Sequence, residues 1–399
     1  MKLNLHEQAL LSGKAGPAVQ KAMQILETLG RIYGAERMIP VNSVQVSGVS
    51  YANLDEAGLA WLSDMAAGGG KAQVFTTLNP AGMDVENYTS LGIDETFAEN
   101  QRRVLAAFKK MGVITTCSCT PYLFGNLPCF GEHIAWAESS AVCYANSILG
   151  ARTNREGGPS ALAASLTGRT PAYGYHLDAY RQPTLHVEVK ADVKSNPDFG
   201  ALGKAIGDHI QAKPAPRVPF ITGIQSASLE NLKSFCASIA TFGGVALFHI
   251  PGITPESGAY HPPANLLTIN QSEIDLTKAS LTNASAAEVD FVSLGCPHLS
   301  LREIQRIAKL LQGKHVSKEF WITTSRPVKG MADRMGYTAI IEAAGAKFAT
   351  DTCCVVAPIK GRFHALLTDS AKACYYATAK NHFKTRLRSF DDVIKEAVE

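Results

Sequence analysis

Apolar residues recur at intervals of three and four along several stretches of the chain, the pattern of an amphipathic helix with one buried face. Glycine follows two of these stretches, as it often does at helix C-termini: Gly34 after the first, and Gly68 to Gly70 after the second. We therefore interpret Gly68 to Gly70 as a helix end rather than a phosphate-binding loop. The predicted helices span residues 18–33, 55–66, 94–112, 228–242, 300–312 and 329–344.

Short runs rich in β-branched and aromatic residues lie between the predicted helices, and this composition is typical of β-strands. Alternating strands and helices of this length predict an α/β fold with several parallel or mixed sheets covered by helices. The predicted strands lie within residues 38–48, 71–84, 113–122, 218–227, 244–252, 288–300, 319–328 and 347–358.

The loops that follow seven of these strands are rich in Ser, Thr, Asn, Cys, Gly and Pro. In open parallel sheets, ligands bind beyond the carboxyl ends of the strands. The seven loops are therefore predicted to line one shared cleft, which is the candidate active site. Their sequences are VSGVSY, TTLNPAG, TCSCTPY, TGIQSAS, LGCPHLS, TTSRPV and DTCCV.

A stretch with several prolines and glycines, residues 190–218, separates the two series of alternating elements. Such a composition favours a boundary between structural units. It predicts two α/β halves, residues 1–205 and 206–399.

The composition narrows the class of ligand and the compartment. Hydrophobic residues make up 46% of the 399 residues, charged residues only 18%, and the formal net charge is +3. This balance supports a globular core and gives no basic stripe for nucleic acid, so we expect a small-molecule ligand. No window is apolar enough to span a membrane, and no signal-peptide pattern is present, which predicts a cytoplasmic protein. Abundant Ala with few Lys and Glu suggests a mesophilic source.

The nine cysteines include no C-x-x-C pair, and cytoplasmic thiols stay reduced, so a disulfide framework is not expected. Cys119, Cys296 and Cys353 each stand where a strand gives way to a loop. Three such thiolates can hold an iron–sulfur cluster and leave one iron open for Lewis-acid chemistry. Cys117, close to Cys119, and Cys354, next to Cys353, are the alternative ligands at these two positions.

Three other roles for these thiols stay open. Free cysteines are often simply buried. Zinc is a second possibility, although structural zinc favours closely spaced cysteine pairs. The third is a nucleophilic Cys119 activated by His298 or His133.

Polar side chains are dense in residues 138–158, which are predicted to form a helix and the loop beyond it. This segment contains Glu138, Ser139, Thr153 and two arginines, Arg152 and Arg155. Arginine offers a planar fork that matches carboxylate or phosphate, so these arginines and Arg326 are candidate anion anchors. The competing interpretation for each arginine is a surface ion pair.

Taken together, the seven loops and the motifs FGNLPCFGEHIAWAESSAV, NSILGARTNREGG and DTCCVVAP resemble the aconitase X family over nearly the whole chain. The resemblance implies an aconitase-like α/β fold with an iron–sulfur cluster at the strand carboxyl ends. It also implies a separate small subunit that carries the swivelling domain, which this chain lacks. By resemblance, Cys119, Cys296 and Cys353 hold the cluster. Aconitases proper hold their cluster partly through a C-x-x-C pair, which this sequence does not contain. The number of irons therefore stays open, and a mononuclear iron is the alternative.

Members of this family resemble two kinds of dehydratase, both of which remove water from a β-hydroxy acid. One converts cis-3-hydroxy-L-proline to Δ1-pyrroline-2-carboxylate, and the other converts mevalonate 5-phosphate to anhydromevalonate phosphate. The mesophilic composition leads us to expect the hydroxyproline enzyme. A non-catalytic iron–sulfur sensor or scaffold subunit is a remoter alternative.

The resemblance assigns no catalytic residue within this chain. By analogy with aconitases, the base is expected to be a serine of the small subunit. The residues predicted to bind substrate are Ser47, Asn79, Glu138, Ser139, Arg152, Thr153, Ser325 and Arg326.

Overall fold

Parallel sheets with helices packed around them form the architecture of the computed structural model, which describes residues 1–212 and 218–398. The α/β expectation is therefore confirmed. The strands are β1 (Met38–Pro40), β2 (Ser43–Val46), β3 (Phe75–Leu78), β4 (Ala135–Trp136), β5 (Arg169–Pro171), β6 (Leu185–Val189), β7 (Pro219–Thr222), β8 (Leu266–Ile269), β9 (Phe291–Leu294), β10 (Glu319–Thr324), β11 (Lys347–Thr350), β12 (Ala365–Thr368) and β13 (Lys384–Leu387).

The α-helices alternate with these strands along the chain. They are α1 (Leu5–Leu11), α2 (Pro17–Ile32), α3 (Tyr51–Ala67), α4 (Glu95–Lys110), α5 (Ser139–Tyr144), α6 (Gly158–Thr167), α7 (Asn196–Gln211), α8 (Leu229–Gly243), α9 (Gln271–Ser280), α10 (Leu301–Leu311), α11 (Arg326–Arg334), α12 (Tyr337–Ala343), α13 (Ala371–Tyr376) and α14 (Phe390–Val398). No helix of the described ranges is long and apolar enough to cross a membrane.

Within the described residues, the strands form three parallel sheets and one antiparallel pair, β1 with β5. The strand orders are β3-β2-β4 in the first sheet, β7-β6-β8 in the second and β11-β10-β9-β12-β13 in the third. Each sheet has its own buried core: Val44 and Leu78 belong to the first, Val187 to the second, and Val292 and Ile322 to the third.

Most predicted helices are present with ends shifted by a few residues, because the 3.6-residue pattern of apolar positions is strong in each. Gly34 follows the end of α2 with φ of 70°, as expected of a residue after a helix C-terminus. The predicted helix 329–344 is instead two helices, α11 and α12. Gly336, with φ of 74°, separates them.

Two predicted strands form only isolated bridges with their neighbours. In residues 113–122, Ile114 bridges Thr77, and Cys117 adopts φ of 47°, which a continuous strand cannot accommodate. In residues 244–252, the bridge joins His249 to Phe220, and the N–H of Phe248 donates to the hydroxyl of Ser147 rather than to a strand.

The stretch 190–218 is mostly helical up to residue 212, and residues 213–217 lie outside the described ranges. Its glycines serve helix packing: a Cβ on Gly203 or Gly207 would come within 2.8 Å of the backbone of α8. The predicted boundary between residues 205 and 206 falls inside α7, and the division into two halves stays a prediction.

Candidate active site

The carboxyl end of the first sheet brings four sequence-predicted side chains into one row. β2 lies between β3 and β4, and the segment leading to Cys119 lies along the other side of β3, where the Ser118 N–H donates to the Leu78 carbonyl (2.9 Å). Asn79 therefore follows β3, and Cys119 follows the segment beside it. Ser47 follows β2, and Glu138 lies just beyond β4.

The third sheet faces this row with its own carboxyl ends. Cys296 follows β9, Cys353 follows β11, and Lys372 lies in the first turn of α13, just after β12. The two sets of strand ends line a partly open cavity of about 230 Å³, which we call the central cavity. Its lining includes Ser47, Asn79, Cys119, Glu138, Ser139, Arg155, Cys296, Cys353, Lys372, Tyr376 and Lys380.

Five of the seven predicted loops contribute to the central cavity, whereas TGIQSAS and TTSRPV do not. All three predicted metal-binding cysteines line it. Ser47, Asn79, Glu138 and Ser139, which were predicted to bind substrate, line it as well.

The other four predicted substrate-binding residues lie outside the central cavity. Arg152 pairs with Asp178 (2.5 Å) and also donates to the carbonyl of His176. The buried Thr153 hydroxyl accepts the Trp136 N–H (3.1 Å) and donates to a backbone carbonyl. Both side chains hold the polypeptide in place.

Ser325 and Arg326 likewise have structural contacts. Ser325 is the N-cap of α11 and accepts the Val328 N–H (3.4 Å). Arg326 pairs with Asp84 (2.8 Å) and Asp351, so it ties the loop after β3 to the end of β11. These carboxylates occupy the guanidinium that we expected to bind a ligand anion.

The three thiols of the central cavity are largely shielded from solvent. Burial raises the pKa of Cys119, Cys296 and Cys353 above the ordinary value of a thiol. The backbone N–H of His298 donates to the Cys119 sulfur (3.3 Å), and the Lys372 ammonium favours the thiolate form of all three. In the described part of the chain, no group of three or more His, Cys, Asp or Glu side chains is arranged to hold a metal ion.

A buried ion pair joins the first and third sheets across the central cavity. Lys372 donates to Glu138 at 2.6 Å, and the same carboxylate accepts the Ser140 hydroxyl (2.5 Å) and the Ala141 N–H (2.7 Å). Burial by itself raises the pKa of Glu138, but Lys372 and these donors outweigh it, so the pKa lies below its usual value. Both partners are therefore charged at neutral pH.

The two helices that carry Glu138 and Lys372, α5 and α13, both end in a π-helical turn. α5 continues into a π-helical turn at Ala145–Leu149, and α13 continues into another at Ala377–Asn381. Each turn ends at a left-handed residue, Gly150 or His382. π-helical turns are rare and often lie at functional sites.

Lys372 and Lys380, both on the α13 segment, were missed in the sequence. The signal was present: the apolar run Ala365–Thr368 precedes Asp369 and the N-cap Ser370, which is the pattern of a strand followed by a helix start. Lys380 donates to the Val355 carbonyl at 2.9 Å beside the loop that contains Cys353.

Neither histidine proposed to activate Cys119 is placed to do so. The His298 ring lies 3.0 Å from the Ser118 hydroxyl and 2.9 Å from the Thr352 carbonyl, so both ring nitrogens are engaged. Burial lowers the pKa of His298 to about 4. His133 does not line the cavity and contacts His176.

Comparison with known families divides the chain into three consecutive parts. Models of the first, second and third domains of aconitase X match residues 1–179, 183–285 and 289–399. Each part contains one of the parallel sheets.

Relatives of the chain are named as dehydratases. The phosphomevalonate dehydratase large subunit of Thermococcus kodakarensis is 44% identical in an alignment of 400 positions that covers 100% of both chains. That of Methanothermobacter thermautotrophicus is 46% identical and covers 94% of this chain and 93% of its own. The cis-3-hydroxy-L-proline dehydratase of Pseudomonas aeruginosa is 32% identical and is matched over 70% of its length. The crystal structure of T. kodakaraensis aconitase X in its holo form superposes over the full length of both chains with a TM-score of 0.93.

The ion pair predicts a large effect of replacing Glu138 by Gln, which preserves the shape of the side chain but leaves the buried Lys372 ammonium without a carboxylate. We expect a loss of roughly 3–5 kcal/mol in the free energy of unfolding at neutral pH, measured by urea denaturation. Because the folded pKa of Glu138 is lowered, its stabilisation is present above the unfolded pKa of about 4.3 and disappears as the pH falls through the folded value. The difference between wild type and variant should therefore shrink in acid.

The control for this prediction is Asp208→Asn, which breaks the exposed pair between Lys204 and Asp208 (2.6 Å). That change should cost no more than about 0.5 kcal/mol. A similarly small cost for Glu138→Gln at neutral pH would contradict the structural role of the buried pair.

Proposed function

This chain belongs to the aconitase X family, and from that premise we propose that it is the large subunit of an iron–sulfur-dependent dehydratase of mevalonate 5-phosphate. Its enzyme class is that of its relatives, which are dehydratases. The composition had favoured cis-3-hydroxy-L-proline as substrate. The relatives support the alternative instead: four phosphomevalonate dehydratase large subunits are 43–46% identical and a fifth is 33% identical, against 32% for the hydroxyproline enzymes.

The observation that carries the choice of substrate is the balance of charge in the central cavity. Glu138 and Lys372 neutralise each other, whereas Arg155 and Lys380 have no carboxylate partner among the described residues. Apart from the thiols, the cavity thus presents two uncompensated positive charges. A phosphate carrying nearly two negative charges at neutral pH matches them.

An amino-acid substrate fits this balance less well. The ammonium group of hydroxyproline calls for a free carboxylate, and the carboxylate that lines the cavity, Glu138, is already paired with Lys372. Asp84, in the loop after β3, does not line the cavity and is paired with Arg326. Whole-chain composition does not show the balance of charge in the cavity, because it counts all residues of the chain and not those that line one site.

We propose that Cys119, Cys296 and Cys353 hold the iron–sulfur cluster. Three thiols from three strand ends share one cavity, and thiolates are the protein ligands of such clusters. Lys372 lies close enough to oppose part of the rise in pKa that burial causes in all three thiols, which offsets part of the cost of burying thiolates. A bound cluster supplies a Lewis-acidic iron that stabilises the departing hydroxyl.

In this proposal the reaction breaks a C–O bond and the neighbouring C–H bond beside the carboxylate, and the products are an alkene and water. Arg155 and Lys380 bind the phosphate and thereby position the substrate in the cavity. The proton acceptor comes from the small subunit that the name of the Thermococcus relative implies, and we place the assembled enzyme in the cytoplasm, where thiols remain reduced.

The cysteine assignment predicts the metal content of single variants. Cys119→Ser, Cys296→Ser and Cys353→Ser should each lose most of the iron and acid-labile sulfide after anaerobic purification, because each removes one of three thiolate ligands. The control is Cys129→Ser, which removes an exposed thiol outside the cavity and should retain the wild-type content. Full iron and sulfide in all three cavity variants would contradict the assignment, and iron without sulfide would indicate a mononuclear site.

The substrate assignment predicts which compound the assembled enzyme consumes. The large subunit, reconstituted anaerobically with its small subunit, should convert mevalonate 5-phosphate to anhydromevalonate phosphate, and the large subunit alone should be nearly inactive. Product formation is followed by mass spectrometry in parallel incubations with cis-3-hydroxy-L-proline. Turnover of hydroxyproline without turnover of the phosphate would reverse the assignment.

A further inference from the structure

The three predicted cluster ligands come from three separate segments of the chain, and one buried histidine contacts all three. His298 is 1% exposed and lies two residues after Cys296, in the loop that follows β9. Its ring nitrogens lie 3.0 Å from the Ser118 hydroxyl and 2.9 Å from the Thr352 carbonyl. These two partners directly precede the other two ligands in the sequence. The His298 side chain therefore joins the loop of one ligand to the loops of the other two.

The partners of the ring fix its tautomer. A backbone carbonyl only accepts hydrogen bonds, so Nε2 carries the proton and donates it to Thr352. Nδ1 is then the acceptor for the Ser118 hydroxyl proton. The Ser118 oxygen in turn accepts the backbone N–H of Thr120 (3.2 Å), so this contact includes the residues on both sides of Cys119. Both ring nitrogens are thus engaged in holding the neighbouring loops.

The backbone of His298 is engaged as well. Its N–H donates to the Cys119 sulfur (3.3 Å), and its carbonyl accepts the Lys233 ammonium (2.9 Å). Lys233 belongs to α8 and also pairs with Glu303 (2.6 Å), and both charged groups are buried. A hydrogen bond to the sulfur favours its thiolate form, which is the form that binds iron. His298 therefore contacts one proposed ligand directly and is itself anchored to a helix of the second sheet.

We propose that His298 is a positioning residue of the cluster site, which holds the three cysteine loops together at the spacing that one cluster requires. This role rests on the proposed assignment of Cys119, Cys296 and Cys353 as the ligands. Hydrogen bonds that orient the ligands of a metal site typically contribute about 10–100-fold to metal affinity. His298 acts through the cysteines and does not itself line the central cavity.

Cluster retention in the iron-loaded protein tests this role. His298→Leu removes both ring contacts, so its cluster should release iron to excess chelator about 10–100-fold faster than the wild type under anaerobic conditions. The control is His249→Leu. His249 is also fully buried and donates from Nε2 to the Arg181 carbonyl (2.9 Å), but it lies outside the cavity. The control should release iron at the wild-type rate, and equal rates in the two variants would contradict the proposal.

A cross-linking experiment on the metal-free protein measures the positions of the thiols directly. Cys353 lies close enough to interact electrostatically with both Cys119 and Cys296. Dibromobimane joins two neighbouring thiols, and mass spectrometry of the linked peptides identifies the pair. The wild type should form a first link, Cys119–Cys353, and a second link, Cys296–Cys353. His298→Leu should lose most of both links, whereas His249→Leu should keep them.

Two further variants separate the two ring contacts. The amide nitrogen of glutamine reaches the place of Nε2, so His298→Gln retains a donor for the Thr352 carbonyl and should lose only the first link. The amide oxygen of asparagine reaches the place of Nδ1, so His298→Asn retains an acceptor for Ser118 alone and should lose both links. The same pattern in these two variants, or wild-type yields of both links in each, would overturn the inference. This comparison also decides the matter if His298→Leu does not fold.

Failure of the proposed function has a different signature. In that case the wild-type protein, purified anaerobically, contains neither iron nor acid-labile sulfide, or its complex with the small subunit does not turn over mevalonate 5-phosphate. The cross-linking pattern depends on neither result, because it is measured without metal and without substrate. Selective loss of the first link in His298→Gln then still supports the role of His298 in bringing the three thiols together, and its absence refutes that role.

Discussion

The buried ion pair between Glu138 and Lys372 is the interaction on which the arrangement of the site depends. It links the end of β4 in the first sheet to the helix that follows β12 in the third, across the central cavity. The Glu138 carboxylate also caps the N-terminus of α5. The pair therefore holds the start of α5 against the Lys372 side chain of α13. Removing either partner leaves an uncompensated buried charge, which is far more costly than losing a surface pair.

The same pair sets the charge that a ligand meets. Glu138 and Lys372 neutralise each other, so the net charge that a ligand meets in the cavity comes from Arg155 and Lys380. Neither of these has a carboxylate partner in the described residues. The ion pair thus joins two sheets, and it leaves the two cations to which the proposed function assigns the phosphate. Lys372 has a further effect, since it favours the thiolate form of the cysteines beside it.

Local patterns allowed much of the fold and part of the site to be predicted. Strand ends are recognisable from a β-branched run followed by small polar residues, and in parallel sheets such ends converge, which is why Cys119, Asn79 and Cys296 were placed correctly at one cleft. The helical period likewise identified α2, α4 and α10. It failed for α7, where glycines that permit close contact with α8 resemble a linker.

The assignments that could not be made depend on contacts distant in sequence. Nothing local to Arg326 or Arg152 shows that their guanidinium groups are occupied by Asp84, Asp351 and Asp178. Arg155, two residues beyond Arg152, has the same chemistry and lines the cavity. Sequence identifies arginines suited to anions, but only the tertiary structure shows which of them are already paired.

The central claim is that two unpaired cations select a phosphorylated hydroxy acid, and the most direct measurement is the ratio of kcat/KM for mevalonate 5-phosphate to that for mevalonate. Arg155→Met and Lys380→Met in the reconstituted complex should each lower this ratio by at least about tenfold, since each removes a charge-assisted hydrogen bond to phosphate. Arg152→Met, whose guanidinium pairs with Asp178 outside the cavity, should leave the ratio unchanged. An unchanged ratio in both cavity variants would contradict the account.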